Sequence, residues 1–85
     1  MAYDLKAATI LRRKQLEAAG CGSRSTIYLR IEQGLLPKPV KLGARAVGWP
    51  EREVAAINEA RIAGKSDDQI RTLVEELEAA RRVEG

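Results

Sequence analysis

The stretch Gly20-Cys21-Gly22-Ser23 constrains what this chain can fold into more than any other. Upstream of it, Arg13 to Ala19 are good helix formers, and the two glycines supply the backbone freedom that a helix end and a tight turn require. Ser23 stands where an N-cap belongs, its hydroxyl able to accept from the free amide of Ser25 or Thr26. A second helix therefore opens at about Arg24, runs to Gln33 and is stopped by Gly34. Within it Ile27 and Ile31 define a buried stripe. At about 100° per residue, Ser25, Tyr28, Leu29 and Glu32 fall on the opposite side, and Arg24, Thr26 and Arg30 flank the stripe. Two short helices joined by a glycine-containing turn form a helix-turn-helix.

After Gly34, Pro37 and Pro39 forbid helix, and Val40-Lys41-Leu42 alternates as a half-buried strand does. A turn over Gly43 to Ala46 and a returning strand Val47-Gly48-Trp49 complete a β-hairpin, the wing of a winged helix, with Lys41 and Arg45 on it. Trp49 is expected in the core, anchoring the hairpin to the helices; a base-stacking surface is the alternative. Pro50 suits the first turn of a third helix, where Glu51 and Glu53 complement the dipole and Val54 and Ile57 face inward, ending near Gly64. Ser66-Asp67-Asp68-Gln69 reads as a capping box for a last helix, in which Ile70, Leu73, Val74 and Leu77 form an apolar stripe. That stripe either packs on the body or joins a second copy. Packing within the chain is favoured, because a domain of 85 residues gains much from one more amphipathic helix.

The expected organisation is a loose arm over residues 1–9 with a short extended piece at Ile10 and Leu11, a winged helix-turn-helix over 10–64, and a C-terminal amphipathic helix over 65–85. The fold class is mostly α with a small β-hairpin. One cysteine, Cys21, forbids an internal disulfide framework, and no apolar run approaches the roughly 20 residues that cross a bilayer. The N-terminus lacks the pattern of a signal peptide, which places the expected site of action in the cytoplasm. With no histidine present, zinc sites and Cys–His or Ser–His nucleophiles are not expected within the chain. The carboxylates of residues 51–84 read as solubilising or capping charges on helix surfaces. The expectation is therefore no enzyme, no metal, no cofactor and no small-molecule ligand.

Charge is distributed unevenly. Residues 1–48 carry nine basic side chains against three acidic ones, and residues 49–85 carry six against nine. A basic half joined to an acidic half suits a body that binds a polyanion. A recognition helix presents its first turns to base edges in the major groove while hydroxyls and amides hold phosphate. Arg24, Ser25 and Thr26 occupy that first turn, Tyr28 and Arg30 can reach backbone or bases, and Leu29 can touch a thymine methyl. Arg45 at the hairpin turn can enter a minor groove, and Lys38 and Lys41 add basic charge before and on the hairpin. Plainer readings stand beside these: capping for Ser25 and Thr26, partial core burial for Tyr28, a surface ion pair for Arg30 and a solvated charge for Arg45.

The runs Ser23-Arg24-Ser25-Thr26-Ile27-Tyr28, Gly34-Leu35-Leu36-Pro37-Lys38-Pro39-Val40-Lys41-Leu42-Gly43 and Arg45-Ala46-Val47-Gly48-Trp49 together resemble the AlpA family of prophage-type regulators, over about residues 10–62. Thr26-Ile27-Tyr28 through Gly34-Leu35-Leu36-Pro37 is also similar to MerR-family proteins, which continue into a long dimerising helix and an effector domain; with residues 66–85 after the wing and third helix, a full MerR-type sensor is not expected. The resemblance implies a MerR-like or excisionase-like winged helix that binds double-stranded DNA as a transcriptional regulator or recombination directionality factor of a mobile element. One departure is Leu29-Arg30, where the commoner AlpA order places the basic residue first. Specificity from so small a domain calls for self-association or neighbouring copies on DNA. A protein-interaction adaptor acting through the acidic last helix is the alternative function.

Overall fold

A computed structural model describes residues 9–83. The chain enters through β1 (Ile10–Leu11) and turns into α1 (Arg13–Leu16). The helix then widens into a π-type turn over Glu17–Cys21, longer than the expected Arg13 to Ala19 run. Gly20 sits at φ 91°, a left-handed conformation that a side chain would strain, and this halts the helix inside the expected break. Ser23 then caps α2 (Arg24–Glu32), its hydroxyl accepting from the Thr26 amide at 3.4 Å.

The loop after α2 runs through Leu35, Leu36 and Pro37, all buried, into β2 (Val40–Lys41) and β3 (Val47–Pro50). These two strands pair antiparallel with Val40 opposite Gly48 and Lys41 opposite Val47, giving the expected wing. The sheet has a third member, because β1 pairs on the other edge of β3, with Ile10 opposite Pro50 and Leu11 opposite Trp49. The Thr9 carbonyl extends this ladder by accepting from the Glu51 amide at 2.8 Å. Gly48 makes the pairing feasible. A Cβ there would collide with the Ile10 side chain and stand 2.9 Å from the Leu11 carbonyl oxygen. Of the expected N-terminal arm, residues 1–8 lie outside the described residues.

Pro50 differs from expectation. It stays extended as the last residue of β3, and α3 (Glu51–Ile62) begins after it. The Ser66 capping box forms in full, with the Gln69 amide donating to Ser66 Oγ at 3.2 Å and the Ser66 amide donating to Gln69 Oε1 at 2.9 Å. It opens α4 (Asp67–Val83). Ile70 and Val74 of that helix join Leu16, Ile27, Leu36, Trp49, Val54 and Ile57 in one core, with Leu73 and Leu77 packed against it. The apolar stripe of α4 is thus covered by the chain itself. Trp49 is fully buried at the centre, and its indole N–H donates to the Pro37 carbonyl at 2.9 Å, tying wing to loop.

Glu53 stands in the first turn of α3 as expected, but its surface placement is overturned: it is a buried carboxylate, 1% exposed, gripped by Arg81 of α4. Arg81 Nε donates to Glu53 Oε2 at 2.9 Å, and Arg81 Nη2 donates both to Glu53 Oε1 and, at 2.8 Å, to the Lys38 carbonyl. Periodicity placed Glu53 in a first helical turn, but its burial depends on where α4 crosses, which local pattern does not encode.

Candidate nucleic-acid interface

Ile27 is the only fully buried side chain of α2 and pins its inner face to the core. The outer face is open: Arg24 and Ser25 are exposed, as are Tyr28 at 42% and Leu29 at 52%. These values remove the core-burial reading for Tyr28. They also show what the inverted Leu29-Arg30 order does, since Leu29 faces out while Arg30 lies half-buried with its Nη1 donating to the Cys21 carbonyl at 3.2 Å. Arg30 therefore braces the turn between the helices, and among the described residues it makes no ion pair. Thr26 is half-buried and its hydroxyl lies 3.2 Å from Ser23 Oγ, so it belongs to the cap; Ser25 does not. No acidic residue stands in the first turn of α2.

Lys41 and Arg45 are exposed on the wing, whose turn is closed by the Leu42 amide donating to the Ala46 carbonyl at 2.8 Å. Lys38 is placed elsewhere. Its amide donates to Glu78 Oε2 at 2.8 Å, and its side chain lines a groove of about 150 Å³ between the end of α2 and α4 together with Glu75, Glu78 and Arg71. The structure thus gathers Arg24, Ser25, Tyr28 and Leu29 on one helix face and Lys41 and Arg45 on the hairpin, and sets Lys38 among carboxylates.

Sequence reasoning missed a second basic group. Arg12, Arg13 and Lys14 meet Arg45 and Val47 around an open cleft of about 390 Å³. The consecutive Arg12-Arg13-Lys14 run was a visible signal, but its nearness to the wing follows from the β1–β3 pairing. Burial pushes the Cys21 thiol up, outweighing the lowering pull of Arg30 and Arg61. Among the described residues no cluster of His, Cys, Asp and Glu could hold a metal ion, and no helix is long and apolar enough to cross a membrane.

Residues 9–61, from the start of β1 almost to the end of α3, match the family described as Prophage CP4-57 regulatory protein (AlpA). A relative in Enterobacteria phage P4, the uncharacterized protein ORF88, is 50% identical over 46 residues, which are 53% of this chain and 52% of that one. The match therefore spans about half the length of the relative. No solved structure matches.

Proposed function

The chain belongs to the AlpA family of prophage regulatory proteins, and from that premise we propose that it is a sequence-specific DNA-binding regulator that seats α2 in a major groove and lays its wing alongside. The observation that carries this reading is the outer face of α2. It offers Arg24, Ser25, Tyr28 and Leu29 to a partner, on a helix with no acidic residue in its first turn. Arginine reads guanine edges bidentately, and an exposed leucine suits a thymine methyl. Lys41 and Arg45 supply the salt-dependent attraction to phosphate and groove that a wing provides. The regulatory outcome at its site is transcriptional control or excisionase-like direction of recombination, and specificity comes from copies on adjacent sites.

The adaptor reading, in which α4 is the working surface, loses its main support because the apolar stripe of that helix lies in the chain's own core. What α4 keeps for a partner is an acidic outer face.

A salt-dependent titration of random and AT-rich duplexes tests the proposal, with Arg24→Ala as the companion variant. Arg24→Ala should weaken the preferred site by about 1–3 kcal/mol and relax sequence preference, as loss of a base contact does. Equal losses on preferred and random DNA would make Arg24 a phosphate contact. Failure of the intact protein to bind any duplex at low salt would end the DNA reading.

A further inference from the structure

Resting on the DNA reading above, we propose that the cleft between the start of α1 and the wing is a seat for the phosphodiester backbone, in which Arg12 and Lys14 close on one DNA strand opposite Arg45. Three observations meet there. The cleft, about 390 Å³, is lined by Arg12, Arg13, Lys14, Arg45 and Val47, with no acidic residue among the described residues. Only Arg13 of its four cations is neutralised, by Glu17 one turn along; Arg12, Lys14 and Arg45 are exposed and form no ion pair among the described residues. The convergence is built by the backbone. β1 runs antiparallel to β3 with Leu11 opposite Trp49, so the chain leaves the sheet heading toward Val47 and the wing turn, and delivers residues 12–14 beside Arg45.

Like charges drawn from distant parts of the sequence into one concavity repel each other, and an anion removes that repulsion. Guanidinium forks and an ammonium match phosphate oxygens. The cleft is open, as a continuous strand requires. In this arrangement α2 reads bases, while the wing and the start of α1 hold the flanking backbone from two sides. Arg12 and Lys14 then contribute affinity without sequence preference, because phosphate contacts position the protein and carry no base information.

The test is the salt dependence of duplex binding by the full chain, measured for wild type, Arg12→Ala/Lys14→Ala, Arg45→Ala, the triple variant and Lys65→Ala. The double variant should flatten the log K against log salt slope by about 0.9 for each phosphate released, equally on preferred and random duplexes. Arg45→Ala should matter less in the double-variant background than in wild type, since the two sides grip one strand. Lys65→Ala removes the same unit charge in the turn before α4 and should leave the slope in place. All these side chains are exposed, so thermal unfolding should be unchanged. An unchanged slope in the double variant or an equal effect of Lys65→Ala would overturn the strand seat. If wild type binds no duplex, the DNA reading itself falls and the seat with it; if Arg24→Ala weakens binding while the double variant behaves as wild type, the seat alone falls.

Discussion

Two groups of charge in this molecule use similar residues to opposite ends. Around the wing, Arg12, Lys14 and Arg45 face one open cleft that no carboxylate of the described residues lines, leaving their charge unpaired among those residues. Between α3 and α4, Arg81 is engaged on three acceptors, the two oxygens of the buried Glu53 and the Lys38 carbonyl. The first arrangement adds little to stability, because exposed charges are well solvated and their mutual interactions are worth about 0–1 kcal/mol. The second carries a large penalty if broken, because a carboxylate removed from water needs its partner. Uncompensated charge is available to a ligand, whereas compensated charge holds the fold.

Removing α4 is the harshest way to break that contrast. A chain ending at Lys65 loses Ile70 and Val74 from the core together with Arg81, and each fully buried aliphatic side chain contributes roughly 1.5–3 kcal/mol. Such a truncation should be unfolded by circular dichroism at room temperature. A folded truncated monomer would contradict the packing of α4, and one that merely shifted from dimer to monomer would make α4 an oligomerisation element.

A finer version replaces one arginine in each group. Arg81→Ala strands a buried carboxylate and should cost about 3–5 kcal/mol in denaturant unfolding. Arg45→Ala should change stability by less than about 0.5 kcal/mol while lowering duplex affinity to a similar extent on preferred and random duplexes. Similar stability losses in both variants would erase the distinction between the two groups.

The smallest expected effect lies at Cys21, which feels Arg30 from α2 and Arg61 from α3. Burial raises its thiol pKa in the folded state despite both arginines, so the folded form resists ionisation. The linked stability is complete below the unfolded thiol's range and is lost as pH rises through it toward the folded value. Unfolding free energy should therefore decline above about pH 8.5, and decline less steeply in Cys21→Ala. Parallel pH profiles would show that burial at this turn does not oppose the thiolate.

Much of the architecture was legible because it is local. The Ser23 cap, the Ser66–Gln69 box and the Ile70/Val74 stripe are each read from residues a few positions apart, and each forms. The wing was legible for the same reason, from prolines, alternation and a turn between Val40 and Trp49. The outward face of α2 followed from helical phase once Ile27 was taken as buried. Arg30 was harder, since its bond to the Cys21 carbonyl depends on how the chain folds back over the turn.

The sequence by itself determined the helix-turn-helix, the wing, the last amphipathic helix and the bias of basic charge toward the first half, because periodicity, capping and turn chemistry act over one or two turns of chain. Only the tertiary structure decided which charges meet. β1 joins β3 across a gap that Gly48 keeps open, and this sets Arg12 and Lys14 beside Arg45. The crossing of α4 over α3 buries Glu53 against Arg81, and it brings Glu78 to the Lys38 amide. Both outcomes depend on contacts between residues 28 to 40 positions apart or more, where local propensity carries no information and packing alone selects the partner.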